Sequence, residues 1–490
     1  MLYLLLIIPL FTAGIAFLPL RVKQWERVNI IGALLTGVVA LYSVIDILYF
    51  RQTFDEYRFL IIDDLSAIFI FIIAVVGTIC CLYTVEYLRK DVTRGEVEER
   101  RTGRFFGLLH LFIATMYLTV LADNLGVMWV AIEATTIVSA LLVGFYRKKE
   151  GLEAAWKYLI ICTVGIAFAM LGIILTNHAA SLITGAGGEV SLSWHMLYPV
   201  ADKLDPSLMK LAFIFIVVGY GTKAGLFPLH TWLPDAHSQA PSPVSAILSG
   251  VLLNCAIYAL IRFHQLTVLA TNSNYSGQIL IGFGLLSMVG ALPFILVQKD
   301  IKRLLAYSSV EHVGIIIVAI GLGGFLGYMG ALLHLINHSL GKATLFLSAG
   351  TLAQEYRSKY MHKMQGIGQL LPITGTVFLV GLFAIAGAPP FGLFFSEMSI
   401  ASRGFQVHGF SLGIIFLMAV AIVFTGLIYF GGKMYFSDLP NRYRQKEPLS
   451  LNHMLIILPV CFLAMQGIYM PEVIQNIFIE VVHYLIGEVG

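Results

Sequence analysis

Long apolar runs alternate with short polar segments along the whole chain. Each run has roughly 17 to 25 residues, which is the length that an α-helix needs to cross the hydrocarbon core of a bilayer. The runs are continuous, whereas a membrane β-barrel would show short segments of alternating hydrophobicity. The pattern predicts fourteen transmembrane helices, at Leu2 to Leu20, Val28 to Phe50, Leu65 to Leu88, Phe105 to Leu121, Leu125 to Tyr146, Tyr158 to Thr176, Leu211 to Phe227, Val244 to Phe263, Ile279 to Val297, Leu304 to Leu322, Tyr328 to Leu352, Leu371 to Ile400, Leu412 to Tyr429 and Leu455 to Tyr469.

Residues that weaken helices interrupt the seventh and twelfth of these spans. The seventh contains Pro228 beside a glycine-rich stretch, and the twelfth contains Pro389 and Pro390. Proline removes a backbone donor and frees a carbonyl group, which inside a membrane needs water or a side chain as its partner. Paired interruptions in the two halves of a chain are typical of transporters with inverted-topology repeats.

The sequence therefore predicts an all-α integral membrane protein of about 14 transmembrane helices, with two inverted-topology repeats and broken helices 7 and 12. Its apolar C-terminal face predicts an amphipathic helix that lies at the membrane surface or against a partner. The predicted organisation is one membrane domain, 1–490, made of helices 1–3 (1–104), a first half-channel repeat of helices 4–8 (105–264), a second of helices 9–13 (277–432), and helix 14 with the amphipathic helix (452–490).

Composition agrees with this class and excludes others. The chain is 58% hydrophobic and 12% charged, with a mean hydropathy of +0.85, which is too apolar for a soluble multidomain protein. The net charge of +3 is spread over loops, so the sequence gives no sign of a nucleic-acid-binding face. The five cysteines lie within apolar runs without the spacing of metal or iron–sulfur ligands, so we expect no cofactor and no metal site in this chain. The sequence also shows no nucleotide-binding loop and no nucleophile constellation, so we expect no catalytic site.

Most lysines and arginines fall in the odd-numbered loops between the predicted spans. Because such loops stay on the cytoplasmic side, both termini should face away from the cytoplasm of a prokaryotic inner membrane. Arg262, at the end of the eighth span, is expected to set topology or to extend toward the membrane surface.

Four ionisable residues stand inside membrane-length apolar segments: Glu133, Lys223, Lys342 and Glu397. An intramembrane charge costs a few kcal/mol even on the mildest insertion scale, so it indicates a transport path with a nearby partner. Glu133 is the natural partner of Lys223, and such a pair can take up or release a proton when its partner moves. The alternative is a static buried ion pair.

Histidines extend this series. His312 follows Glu311, and His334 and His338 are four residues apart on one helix face with Lys342. A neutral imidazole accepts a proton at one nitrogen and donates one at the other, so a line of them with water can pass protons along. His230 and His237 are further candidates on the proton path, with the alternative that they only hydrogen-bond a neighbouring helix.

Three segments carry a family resemblance: KAGLFPLHTWLPDAHSQAPSPVSAILSG from Lys223, KRLLAYSSVEHVG from Lys302 and HLINHSLGKATLFLSAG from His334. They resemble, in the same order, the proton-translocating antiporter-like subunits of respiratory complex I, Mrp antiporters and membrane-bound hydrogenases. The segments from Ile132 to Gly172 and from Ala386 to Ala401 are most similar to the F subunit of hydrogenase-4 type complexes.

This resemblance implies a role for each charged residue by position. Glu133 and Lys223 would be the modulating pair of the first half-channel, Lys342 the residue of the central axis, and Glu397 the terminal residue on the broken twelfth span. Many respiratory relatives have a lysine where this chain has Asn254. The link from Lys223 to the centre would then use water or another side chain.

The resemblance also implies partners: other membrane subunits of a complex I-like or hydrogenase-4 type complex, the lipid bilayer, and a soluble redox arm that holds nickel–iron and iron–sulfur centres. The predicted function is proton translocation through a Glu/Lys/His/water path, driven by that oxidoreductase. Two alternatives stay open, an Mrp-type Na⁺/H⁺ antiporter subunit without a redox partner and a scaffold subunit that does not pump.

Overall fold

The computed structural model describes residues 2–49, 55–56, 59–184, 192–439 and 447–487. Helices dominate these ranges, and a two-residue antiparallel hairpin, Asp55–Glu56 (β1) with Leu60–Ile61 (β2), departs from the all-helical expectation. The α-helices are Leu2–Ala16 (α1), Val22–Leu48 (α2), Asp64–Thr93 (α3), Glu99–Leu121 (α4), Leu125–Val143 (α5), Lys149–Thr184 (α6), Trp194–Leu197 (α7), Pro206–Ala224 (α8), Trp232–Gln239 (α9), Ser242–Ile247 (α10), Leu253–Thr271 (α11), Tyr275–Val297 (α12), Ile301–Leu322 (α13), Gly324–Tyr356 (α14), Ile367–Leu370 (α15), Pro372–Ile385 (α16), Gly392–Phe436 (α17), Leu451–Ile468 (α18) and Glu472–Ile486 (α19).

Eleven helical segments in the described part of the chain are long and apolar enough to cross a membrane. Two more apolar helices, α1 and α16, are shorter. The long α17 contains one residue with non-helical geometry, Gly409, with φ 64° and ψ −156°, so its backbone turns there. The polytopic helical class is therefore established, and the count of fourteen stays a prediction. The predicted end of the second span at Phe50 lies outside the described residues.

The backbone is interrupted at both predicted breaks. In the seventh predicted span, α8 ends at Ala224, Gly225 takes a left-handed conformation with φ 79°, and α9 begins after a turn that contains Pro228. In the twelfth, α16 ends before Gly387, whose φ is 77°, and α17 begins after Pro389 and Pro390. Each turn leaves backbone groups without helical partners next to a charged side chain.

A third irregularity was not foreseen from the sequence. Between α10 and α11 the backbone makes a π-helical turn at Leu248–Leu252, within the predicted eighth span. Such turns are frequent at functional sites, because they shift the direction of the side chains that follow. Asn254 is the second residue of α11, directly after this turn.

The α10–α11 segment and α13 form the centre of the bundle, since their most apolar windows are completely buried. Helices α6, α12 and α17 each keep an exposed face, with 39% of that window buried. Glycines allow α12 and α13 to approach closely: a Cβ atom on Gly284 would lie 2.7 Å from the Gly314 carbonyl oxygen. Small residues commonly permit such contacts between membrane helices.

The amphipathic C-terminal helix α19 buries Phe478, Val481, Val482 and Leu485. These residues belong to the apolar face that the sequence predicted, and the face packs on α3 and α14 of the same chain. The bundle itself thus supplies an apolar surface for α19, and the location of this helix at the membrane surface or against a partner stays a prediction.

Arg262 is also placed differently from the expectation. Its side chain is 2% exposed and forms a 2.7 Å ion pair with Asp63, at the N-cap of α3. Tyr484 of α19 donates a 2.7 Å hydrogen bond to the same carboxylate. The guanidinium lies 4.6 Å from the Trp194 ring centre. The ion pair with Asp63 holds the guanidinium inside the bundle and away from the membrane surface. Arg262 therefore links α3, α11 and α19.

Candidate functional site: a series of buried charged and polar groups

Lys223 lies in the last turn of α8, directly before the interruption, and its side chain is fully buried. Its ammonium group donates hydrogen bonds of 2.7 Å to the Thr136 hydroxyl on α5 and 2.8 Å to the Tyr158 hydroxyl on α6. The same group lies 4.9 Å from the centre of the Tyr158 ring. Neutral hydroxyl groups from two helices thus hold the buried lysine in place.

Glu133, the predicted partner of Lys223, is half-buried on α5, one turn before Thr136. Its carboxylate accepts a 2.8 Å hydrogen bond from the Thr163 hydroxyl on α6 and a longer one, 3.4 Å, from Thr136. The charges of Glu133 and Lys223 also interact. The structure therefore brings the predicted pair together through a hydroxyl bridge.

The two histidines after the interruption differ in their surroundings. His230 stacks on Phe227, with 4.8 Å between the ring centres. His237 is fully buried in α9 and stacks 4.8 Å from Phe346, one turn after Lys342 on α14. The charge of Lys342 acts on His237. Neither ring nitrogen of His237 has a hydrogen-bond partner among the described residues. Both histidines thus stack on a phenylalanine ring, and His237 also interacts with the charge of the central lysine.

Lys342 lies in the middle of α14 and is fully buried. Its ammonium group donates hydrogen bonds of 2.7 Å to the Ser308 hydroxyl and 3.0 Å to the Leu305 carbonyl, both on α13. Glu311, one turn further along α13, is 1% exposed and interacts with the charge of Lys342. A second buried lysine and carboxylate therefore meet at the centre of the bundle.

Three histidines continue from this centre. His312 and His334 share a 3.0 Å hydrogen bond between Nδ1 and Nε2, and His334 Nδ1 hydrogen-bonds the Ser396 hydroxyl at 2.9 Å. His312 Nδ1 also lies 3.7 Å from Glu311 Oε2. The ring of His338 is centred 5.3 Å from that of His312, and both its nitrogens lack partners within the described ranges. The contacts form a continuous series from α13 through α14 to α17.

Glu397 follows Ser396 near the start of α17 and is 3% exposed. Its carboxylate packs directly against Gly387 in the break, so closely that a Cβ atom there would clash with it. The charge of Glu311 also acts on Glu397. The predicted terminal residue therefore lies at the second interruption, as Lys223 lies at the first.

Asn254 stands in the region between the two lysines. Its neighbour Cys255 interacts with Lys223. The Asn254 amide donates a 2.7 Å hydrogen bond to the hydroxyl of Ser339, which is three residues before Lys342. The Asn254 carbonyl oxygen has no hydrogen-bond partner in the part of the chain that the structure describes. Asn254 and Ser339 are thus two hydrogen-bonded polar groups between the regions of the two lysines.

Hydroxyl groups that the sequence analysis did not name touch every charged cluster: Thr136 and Tyr158 at Lys223, Ser308 at Lys342, and Ser396 at His334. In the sequence these residues differ from their neighbours only in being polar within an apolar segment. Many other residues of this chain have the same feature, so it could not single them out. No group of three or more His, Cys, Asp and Glu side chains within the described residues could hold a metal ion.

A series of buried lysines and carboxylates, with Lys223 and Glu397 at the two helix interruptions and Lys342 between them, is the arrangement expected of antiporter-like membrane subunits. The chain belongs to the NADH:quinone oxidoreductase/Mrp antiporter family, whose transmembrane-region model matches residues 122–425. The family resemblance drawn from the sequence is thereby confirmed. The roles of the individual residues stay predictions.

Similar proteins agree with this assignment. The chain is 40% identical over 385 residues to the hydrogenase-4 component F homolog of Methylacidiphilum infernorum, with 79% of each chain covered. It is 33% identical over 390 residues to the A subunit of a Na⁺/H⁺ antiporter of Alkalihalophilus pseudofirmus, covering 75% of this chain and only 46% of that relative. Its fold matches a chain of the archaeal membrane-bound sulfane sulfur reductase with a TM-score of 0.84 at 23% identity, over 100% of this chain and 99% of the other.

Proposed function

We propose that this chain translocates protons as the antiporter-like membrane subunit of a multi-subunit, redox-driven ion pump of hydrogenase-4 type. The observation that carries the proposal is the pair of fully buried lysines, Lys223 and Lys342, each held by hydroxyl groups and each in electrostatic contact with a carboxylate. A buried charge of this kind is costly unless its partner is near, and its protonation therefore responds to movement of that partner.

The proton path begins at the Glu133 carboxylate and reaches the Lys223 ammonium through the Thr136 hydroxyl. Asn254 and Ser339 connect this region with Lys342, and the unpartnered Asn254 oxygen is suited to bind a bridging water. From Lys342 the path continues through Glu311 to His312.

The second part of the path uses the histidine series. His312 Nδ1 faces both Glu311 and His334, so it passes a proton from the Glu311 carboxyl group to His334 Nε2. His334 releases a proton from Nδ1 toward the Ser396 hydroxyl, and Glu397 receives it at the second break. His237 and His338 face the same centre and are suited to hold further waters, because their ring nitrogens lack protein partners within the described residues.

Electron transfer belongs to partner subunits in this proposal. The relative of highest sequence identity named above is a hydrogenase-4 component, so we assign the nickel–iron and iron–sulfur centres to a soluble arm and none to this chain. The other membrane subunits of the complex would cover exposed apolar faces such as those of α12 and α17.

The proposed location is a prokaryotic inner membrane, with both termini on the non-cytoplasmic side. The support is the concentration of lysine and arginine in alternate loops of the predicted topology. Labelling of single cysteines placed near Leu2 and near Gly487 with a membrane-impermeant reagent should occur from the outside of intact cells.

One alternative has a specific observation in its favour. The chain is 33% identical to a Na⁺/H⁺ antiporter subunit, which favours sodium-dependent transport by a purely membranous assembly. The scaffold alternative predicts instead that neutralising Lys223 alters nothing but assembly.

The deciding experiment measures redox-driven proton uptake into vesicles that hold the intact complex. Lys223→Ala should abolish most of the uptake while co-purification of the other subunits is kept. Lys210→Ala is the matched control, because Lys210 lies on the same helix at an exposed position. Uptake that is unchanged in Lys223→Ala would refute the proposal, and uptake that requires sodium without an electron donor would favour the antiporter alternative.

A further inference from the structure

A groove of about 450 Å³ opens on the outer surface between α4, α5 and α6. Its apolar wall includes Ile137, Leu141 and Trp156, which are 53%, 57% and 62% exposed. The volume falls within the range of small-molecule pockets, about 300 to 1,000 Å³. The wall is therefore large enough to contact the upper part of an acyl chain.

Three arginines line the same groove: Arg101 and Arg104 at the start of α4, and Arg147 between α5 and α6. The described lining residues include no acidic side chain. Within the described chain, none of the three arginines forms an ion pair with a carboxylate. The charges of Arg104 and Arg147 act on Arg101, and Glu98 is the nearby carboxylate that opposes them.

Arg101 is held at this place by local contacts. Its Nη2 group donates a hydrogen bond to the Phe145 carbonyl, and its guanidinium lies 4.8 Å from the centre of the Phe145 ring. A guanidinium that is fixed in this way presents its remaining N–H groups to a ligand with little loss of side-chain freedom. Arginine binds phosphate with two parallel hydrogen bonds, so the arginines of this groove favour a ligand that carries a phosphate group over an uncharged one.

The two halves of the groove match the two halves of a phospholipid. Trp156 has the amphipathic ring that is enriched at membrane interfaces. Clusters of basic residues at the predicted cytoplasmic surface attract anionic headgroups. We propose that this groove binds an anionic phospholipid, whose phosphate contacts Arg101, Arg104 and Arg147 and whose acyl chains lie along Ile137, Leu141 and Trp156. The proposal does not depend on proton translocation.

The test uses the intact complex in detergent, after its native lipid has been removed. Photoactivatable phosphatidylglycerol is added, peptides from α4 to α6 are analysed for labelling, and photoactivatable phosphatidylcholine serves as the zwitterionic comparison. Phosphatidylglycerol should label the wild-type groove. R101Q/R104Q/R147Q should reduce that labelling by roughly a hundredfold, since each basic residue contributes a several-fold attraction and the three act together.

The matched control is R21Q/R27Q/R100Q, which removes the same charge from exposed arginines outside the groove and should label like the wild type. Ala155→Trp fills the groove and keeps all charges, so it tests the acyl site even if the triple variant fails to assemble. Size-exclusion profiles check assembly.

Three outcomes would overturn the proposal. The first is equal labelling by the two lipids or by wild type and the groove variants. The second is complete loss of labelling with excess inorganic phosphate alone, which would indicate an anion site without a lipid. The third is the absence of lipid labelling together with cross-links from Trp156 to another membrane subunit, which would make the groove a protein contact.

Discussion

The hydroxyl group of Thr136 hydrogen-bonds both Lys223 and Glu133. We expect Thr136→Val to keep the shape of the site and to remove this bridge. A hydrogen bond to a charged group contributes about 1.5 to 3 kcal/mol, so proton uptake should fall by about tenfold or more. The measurement is the ratio of protons taken up to electrons transferred in vesicles of the intact complex.

Thr135→Val is the matched control for this prediction. Thr135 is buried on the same helix, but its hydroxyl donates to the Ile132 carbonyl of its own helix. Its loss should leave uptake unchanged. If the two valine variants behave alike, the bridge has no role in transport.

At this scale the sequence could identify charges but not the groups that hold them. Lys223 and Lys342 are conspicuous because a charged side chain within a membrane-length apolar segment is costly and therefore rare. Serine and threonine are different, since in membrane helices they often bond to a carbonyl four residues earlier, as Thr222 does to Val218. Thr136 acquires its role only because α8 brings Lys223 against it.

Single elements show which local features dictate helix boundaries. Proline and glycine predicted the places of both breaks, because these residues restrict the backbone wherever they stand. The sixth predicted span covers Tyr158 to Thr176, whereas the helix that contains it, α6, runs from Lys149 to Thr184. The π-helical turn at Leu248–Leu252 has no local signal of this kind, because it lies within a fully buried segment packed against neighbouring helices.

Gly387 offers a test at the level of the broken twelfth span. Gly387→Ala places a Cβ atom on a residue with φ 77°, which costs about 1 to 2 kcal/mol, and forces the Glu397 carboxylate to move. Because that carboxylate ends a flexible side chain, the protein should still fold. We expect proton uptake to fall by about tenfold if Glu397 ends the path, since a small displacement there breaks the series.

The control for Gly387→Ala is Gly432→Ala. Gly432 is a helical residue of α17 with open space around its Cβ position, so alanine should be tolerated with full transport. The thermal unfolding midpoint of both variants in detergent separates folding from function. Wild-type uptake in Gly387→Ala would remove Glu397 from the proposed path.

On the scale of the whole molecule, one ion pair joins parts of the chain that are far apart in sequence. Arg262 and Asp63 are 199 residues apart, and Tyr484 is 421 residues from Asp63. The predicted elements placed Arg262 near the end of the eighth span and Tyr484 in the C-terminal amphipathic segment, and Asp63 lies just before the third span. It could not pair them, because the pairing depends on how α3, α11 and α19 pack, and Arg262 was accordingly expected at the membrane surface.

The pH dependence of this pair gives a test of how strongly it holds the molecule together. Burial of Asp63 alone would raise its pKa, but the Arg262 charge and hydrogen bonds from Arg262, Ser66 and Tyr484 lower the pKa from 3.8 to about 2. A lowered pKa in the folded protein means that the stabilisation is complete above the ordinary pKa and is lost as the pH falls through the folded value. With 15% of the Asp63 side chain exposed, the contribution is about 2 kcal/mol.

We therefore expect Asp63→Asn to lower the unfolding midpoint of the detergent-solubilised protein at neutral pH. The midpoints of wild type and variant should converge as the pH falls from about 4 to 2, because the wild-type carboxyl then also loses its charge. Asp202→Asn, which changes an exposed carboxylate, should follow the wild type at every pH. A constant difference between wild type and Asp63→Asn across this range would mean that the asparagine acts through packing, and that the charge of Asp63 does not stabilise the junction of α3, α11 and α19.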